Sequence, residues 1–215
     1  GNIIRHYGTG VEEGGLRSDF ILYIYETTAL DLYILTSQGV YKYLQNSDVF
    51  EPVKGFPETY HYTFLLEDHE GTLWAGTYWD GLYYYNPKTE AKGHYKFDRN
   101  DETSISSNVI NGIFEDSKNR LWISTENGLN LLDRESGTFT RIRKHEGLPG
   151  NVTYALLEDQ NSHLWISTSN GLVNYNPESG ELKTFTKSNG LLSDQFNYSS
   201  FFKDKSGEMY FGSVN

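Results

Sequence analysis

Asp116-Ser117-Lys118-Asn119-Arg120-Leu121-Trp122-Ile123-Ser124-Thr125-Glu126-Asn127-Gly128-Leu129 decides the fold, because it recurs with drift along the whole chain. Asp159 to Leu172, with Leu164-Trp165-Ile166-Ser167-Thr168 inside it, is the nearest copy. Asp68 to Leu82 is another, centred on Leu73-Trp74-Ala75-Gly76-Thr77, and Asp204 to Ser213 is a fourth. A worn fifth runs from Leu32 to Val40. The aromatic anchors Tyr33, Trp74, Trp122, Trp165 and Tyr210 stand 41, 48, 43 and 45 residues apart. That spacing is the one expected of four-stranded β-propeller blades.

Each copy reads as four short strands. Asn108 to Phe114 and Asn151 to Leu157 precede the acidic turn, and the Leu-Trp segment follows it. Third strands such as Leu82-Tyr83-Tyr84-Tyr85 follow Asp80-Gly81, Asn127-Gly128 or Asn170-Gly171, and the fourth follows a turn such as Asn176-Pro177-Glu178-Ser179-Gly180. Alternation of apolar and polar residues between Gly, Pro, Asn and Asp clusters is the strand-and-hairpin signal. The Asn-Gly and Asp-Gly pairs predict type I′ turns, which need positive φ at both central residues. No segment predicts a helix. The fold class is therefore all-β, built of propeller blades over approximately 18–55, 56–98, 105–144 and 150–187, with a partial blade at 195–215. Residues 1–8 align with a fourth strand that could complete the last blade in a closed ring of five, but because that last blade lacks its third strand the segment reads rather as an incomplete part of a larger ring.

Composition fits this and narrows the functions. The 17 Tyr, 12 Phe and 21 Gly against 5 Pro suit many short strands joined by tight turns. A net charge of −11 repels phosphate backbones and excludes nucleic acid as a partner. Absence of Cys excludes thiolate metal sites, disulfides and a Cys nucleophile. The apolar runs fall short of the roughly 18 residues of a membrane helix.

The string Glu115-Asp116, Leu121-Trp122, Thr125, Asn127-Gly128-Leu129 and Gly147-Leu148-Pro149 resembles the two-component regulator propeller repeat. Glu158-Asp159, Leu164-Trp165, Asn170-Gly171 and Gly190-Leu191-Leu192-Ser193 match it again. Two features depart from the pattern: the first copy lacks both the acidic turn and the Trp, and the turn after Thr77 carries an extra residue, as Tyr78-Trp79-Asp80. The resemblance implies the periplasmic sensor region of a hybrid two-component system, binding a signal without chemistry on it. The kinase, receiver and DNA-binding parts of such a protein are expected outside this chain. Partners implied are an oligosaccharide, neighbouring blades or domains of the same chain, and a second copy in a homodimer.

Connectivity then selects a functional face. Loops entering first strands and turns between second and third strands share one face, which carries the long, variable loops where binding residues concentrate. On it stand Arg17, Tyr60, His61, Tyr78, Trp79, Asp80, Asn108, Asn151, Tyr154, Gln195, Asn197 and Tyr198. Rings beside amides and carboxylates suit a carbohydrate, whose C–H faces stack while its hydroxyls take directed hydrogen bonds. Tyr78-Trp79 is the leading candidate; the competing reading packs both rings on a neighbouring blade, and for Asn108, Asn151 and Asn197 it is turn capping. The indoles are expected between blades, and Asp68, Asp116, Asp159 and Asp204 at turn starts, where a carboxylate bonds the backbone two residues on.

No cofactor, metal or catalytic set is expected. The six His show no H-E-x-x-H spacing, and neither G-x-S-x-G nor a P-loop occurs. Acidic turns such as Asp68-His69-Glu70-Gly71 lack the roughly twelve-residue calcium loop ending in Glu. Glu12-Glu13 and Asp101-Glu102 are adjacent in sequence and would point apart on a strand. Two alternatives stay open: a propeller enzyme of lyase or glycosidase type, such as the streptogramin lyases with their similar repeat, and a protein-binding scaffold.

Overall fold

In the computed structural model, residues 7–9, 14–58 and 61–214 are described. They form two compact units, Gly1–His94 and Tyr95–Asn215. The expected strand at 1–8 falls mostly outside the described residues. Tyr7, which is described, is not in a strand and packs edge-on against Phe50 at 5.2 Å.

The first unit holds two antiparallel four-stranded meanders. Strands β1 (Ile21–Glu26), β2 (Leu32–Thr36), β3 (Gly39–Leu44) and β4 (Val49–Pro52) pair in chain order. So do β5 (Tyr62–Glu67), β6 (Leu73–Thr77), β7 (Leu82–Tyr85) and β8 (Lys92–Tyr95). The second unit repeats the plan with β9 (Ile110–Glu115), β10 (Leu121–Thr125), β11 (Gly128–Asp133) and β12 (Thr138–Ile142). A further meander contains β13 (Thr153–Glu158), β14 (Leu164–Thr168), β15 (Gly171–Tyr175) and β16 (Leu182–Phe185), and a hairpin joins β17 (Phe196–Lys203) to β18 (Met209–Ser213). The only helical turns among the described residues are two 3-10 turns, Lys144–Glu146 and Lys187–Asn189.

Two side-chain cassettes explain why the repeat folds this way. In the first, a turn-starting carboxylate closes the hairpin between first and second strands. Asp116 Oδ1 accepts the N–H groups of Lys118 (3.0 Å) and Arg120 (2.9 Å), while Oδ2 accepts the indole N–H of Trp122 at 2.9 Å. Asp68 does the same for Glu70, Thr72 and Trp74, and Asp159 for Asn161, His163 and Trp165. Asp204 keeps both backbone bonds, to Ser206 and Glu208. In the first meander Thr27 takes this position, its hydroxyl accepting the Asp31 N–H. Each carboxylate therefore satisfies backbone donors that a tight turn would otherwise leave unpaired.

The second cassette closes the hairpin between second and third strands. Thr36, Thr77, Thr125 and Thr168 each donate a hydroxyl to the carbonyl of a glycine, Gly39, Gly81, Gly128 and Gly171. Each hydroxyl also accepts a turn N–H, as from Asn127 to Thr125. This corrects the type I′ expectation: Asn127, Asn170 and Asp80 do not have positive φ, and only the glycine does, as at Gly128 (112°). The glycine is also required sterically. A Cβ at Gly128 would lie 2.6 Å from the Ile142 carbonyl oxygen.

Cores form between successive sheets within each unit. In the second unit Trp122, 1% exposed, packs with Leu156, Leu164, Ile166 and Val173 of the next meander and meets Tyr175 edge-on at 5.8 Å. Tyr33 holds the corresponding place in the first unit, among Phe56, Tyr62, Leu65, Leu73 and Tyr83. The expectation that the indoles sit between sheets holds at Trp122. Trp74 and Trp165 instead pack against rings of their own sheets, Tyr84 (5.2 Å) and Phe185 (5.4 Å).

Candidate functional site

A shared irregularity positions the site. In every sheet the pairing of the first strand with the second slips once: between Ile21 and Tyr23, Tyr62 and Phe64, Thr153 and Leu156, Phe196 and Phe201, and opposite Ser124/Thr125 on β9. A bulge leaves residues outside the ladder and re-aims their side chains. In the second unit β9, β13 and β17 lie side by side, and the residues at their irregularities are Asn111, Tyr154 and Asn197 to Ser200.

These bulges bring together four side chains. The hydroxyl of Tyr198 donates to Glu126 Oε1 at 2.7 Å, and Asn111 Nδ2 donates to the same oxygen at 3.4 Å and to the Thr153 carbonyl at 2.9 Å. Tyr154 meets the Tyr198 ring edge-on, centroids 4.7 Å apart. Burial, and then the nearby Glu126 carboxylate, raises the Tyr154 phenol above its usual range, so it stays a neutral donor. Tyr198 is half exposed. The adjacent Ser199 has φ 49°, a left-handed conformation that a non-glycine residue adopts at a cost and that clusters at ligand clamps. The arrangement offers a ring, an oriented carboxylate and an amide to one guest.

Sequence reasoning anticipated Tyr154 and Tyr198 but not Asn111 or Glu126. Glu126 sits inside the Thr-x-Asn-Gly turn, where its neighbours are scaffold. The remaining candidates of this unit are committed elsewhere or stand alone. Asn108 Oδ1 caps the Phe97 N–H (2.8 Å), Asn151 Oδ1 caps Lys144 N–H (3.1 Å), and Asn197 Oδ1 caps Tyr198 N–H (2.9 Å). Gln195 is exposed, its backbone carbonyl holding the Val214 N–H.

In the first unit, Tyr78 and Trp79 form an exposed edge-to-face pair at 4.4 Å, with Trp79 69% exposed. Tyr78 N–H is anchored on the His61 carbonyl at 3.0 Å, and the His61 side chain is exposed. Asp80 is buried: it accepts the Tyr83 hydroxyl at 2.5 Å and lies 3.5 Å from His94 Nε2, so its carboxylate secures the turn. Arg17 is exposed and paired with Glu58. Tyr60 lies outside the described residues. No cluster of His, Asp and Glu suited to a metal ion occurs among the described residues.

Comparison with known proteins bears on this geometry. Residues 104–127 and 147–170 match the family described as two component regulator propeller. A 71-residue stretch is 32% identical to histidine kinase P4 of Formosa agariphila, covering 32% of this chain and 5% of that protein. Among solved structures, the extracellular domains assigned to the hybrid two component systems BT3049 and BT4673 of B. thetaiotaomicron superpose with TM-scores of 0.77 and 0.76. Their identities are 21% and 22%, over 94% and 98% of this chain, which spans 28% and 27% of theirs. Virginiamycin B lyase of Staphylococcus aureus gives 0.68 at 13% identity, over 91% of this chain and 64% of the enzyme. The likeness to these solved structures is one of fold.

Proposed function

We propose that this chain, which matches the two component regulator propeller family over residues 104–127 and 147–170, is part of the sensor propeller of a hybrid two-component system. In this reading it lies outside the cytoplasm, in the periplasm, binds an oligosaccharide without transforming it, and relays occupancy to a kinase. The observation that carries the reading is the convergence of three bulged first strands on Glu126, Tyr198, Tyr154 and Asn111. A pyranose stacked on the half-exposed Tyr198 ring would have its hydroxyls within reach of the carboxylate and the amide. Tyr78 and Trp79 supply a second exposed aromatic surface. Ligand-dependent bias between two arrangements of the propeller and its neighbours would carry the signal.

Calorimetry of the complete ectodomain against a glycan panel tests this. One class of oligosaccharide should bind, and Tyr198→Ala or Glu126→Gln should weaken it about tenfold or more at unchanged melting temperature. Silence across the panel, or a binder indifferent to both substitutions, refutes the proposal. The likeness to virginiamycin B lyase is one of fold. An enzymatic reading would require turnover of a glycan or cyclic depsipeptide that disappears in His61→Ala.

A further inference from the structure

A groove of about 390 Å³ in the first unit lies between the segment that follows β4 and the outer strand β8. It is lined by Lys54, Phe56, Pro57, Tyr83, Lys92 and His94. The register of β8 explains this lining. Residues 92 and 94 are two apart and share a face of the strand, whereas Gly93 turns to the other face. There the Tyr84 ring takes the space of a side chain: a Cβ on Gly93 would lie 2.4 Å from it. Gly55 is pressed in the same way against Tyr85, 2.0 Å from where its Cβ would be. The groove is thus preformed, its backbone held against two tyrosine rings.

Its walls are equally fixed. The His94 ring is stacked on Tyr83, centroids 3.9 Å apart and planes 6° from parallel. Its Nε2 contacts the Asp80 carbonyl oxygen, which assigns the proton to that nitrogen. Phe56 is buried in the core between the two sheets, edge-on to Tyr62 at 5.9 Å. Against this apolar and aromatic surface stand two exposed ammonium groups, in a chain whose net charge is −11. The lining itself contains no carboxylate.

We infer that this groove is a second binding site, selective for a sugar bearing a negative charge, either a carboxylate on a uronic acid or a sulfate ester. The ring face of the sugar would lie on Pro57 and His94, which the buried Phe56 and Tyr83 support from beneath, and its anion would pair with Lys54 and Lys92 as a charge-assisted contact. An anionic ligand drawn to an acidic protein needs such a local reversal of sign. The inference goes beyond the sensor reading: it requires neither a kinase nor the patch around Tyr198.

Titration of the full chain with tri-galacturonate, a sulfated galactan trisaccharide, neutral galactotriose and inorganic sulfate tests it. Lys54→Gln/Lys92→Gln removes both charges at exposed positions, and a thermal melt confirms its fold. At least one of the two charged trisaccharides should bind, and which one does identifies the source of the anion. Its affinity should fall with added salt, and fall about tenfold in the double variant. Lys205→Gln, at an exposed lysine outside both sites, should leave it unchanged, so that a loss in the double variant is specific to the groove. No binding of either charged sugar, equal binding of the neutral sugar, inorganic sulfate binding as tightly as the sugars, or indifference to the double variant each overturns the inference.

Discussion

Replacing Asp116 probes the cassette on which each sheet depends. Its side chain is fully buried and serves four donors: two backbone N–H groups, the Trp122 indole and, at 2.6 Å, Arg120 Nε. Burial alone would raise its pKa, but the bonds from Trp122 and Arg120 outweigh that and hold it below the usual carboxylate range. Asp116→Ala strands a buried indole N–H and two turn amides at once, and takes from Arg120 one of its two carboxylate partners, Glu178 being the other. Breaking a buried, hydrogen-bonded charge pair costs about 3–5 kcal/mol, within which each lost neutral bond accounts for about 1. Asp116→Asn keeps an acceptor for the two amides but opposes an NH₂ to the indole N–H, and should cost about 2–3 kcal/mol. Urea unfolding followed by tryptophan fluorescence reads both as a fall in midpoint with unchanged slope. A depressed folded-state pKa gives stability that is complete above the unfolded value of about 3.9 and is lost as pH falls through the folded value. The gap between wild type and Asp116→Asn should therefore narrow below about pH 4. A loss under about 1 kcal/mol for Asp116→Ala, or a gap independent of pH, would refute the reasoning.

Three further outcomes follow from the same geometry. Gly112→Ala places a Cβ 2.6 Å from the backbone oxygen of Tyr154 on the next sheet, and should cost about 1–3 kcal/mol in thermal unfolding. Trp122→Ala should cost about 3–5 kcal/mol in urea unfolding because it empties the core between two sheets, and Trp165→Ala, at a partly exposed indole, should cost less. Asp204→Asn should lower the melting temperature less than Asp116→Asn, since Tyr210 at the indole position donates its hydroxyl to Glu208 instead.

Much of the scaffold could be read from spacing alone. Regular recurrence of second-strand aromatics places four meanders, and turn-starting aspartates bond the backbone two residues on. The indole bond was also readable in principle, because Asp68 and Trp74, Asp116 and Trp122, and Asp159 and Trp165 are each six apart. The turn type was not, because a Thr hydroxyl three positions before the strand resumes at Gly128 fixes Asn127 in an ordinary conformation that the Asn-Gly pair alone does not reveal.

The candidate site was less legible, because loop membership does not say which way a side chain is committed. Asp80 sits in an exposed-looking turn yet is buried under the Tyr83 hydroxyl. Asn108 and Asn151 spend their amide oxygens on caps. Glu126 and Asn111 acquire their roles only from bulges, which depend on how strands pair and leave no mark in composition.

Hydrogen exchange on the complete ectodomain, with and without its bound oligosaccharide, tests most directly the division into structural turns and a binding rim. Protection should rise in peptides containing 108–112, 125–128, 153–155 and 195–200, while the acidic turns at 68–72, 116–120 and 159–163 stay unchanged. Protection centred on the acidic turns would contradict the account.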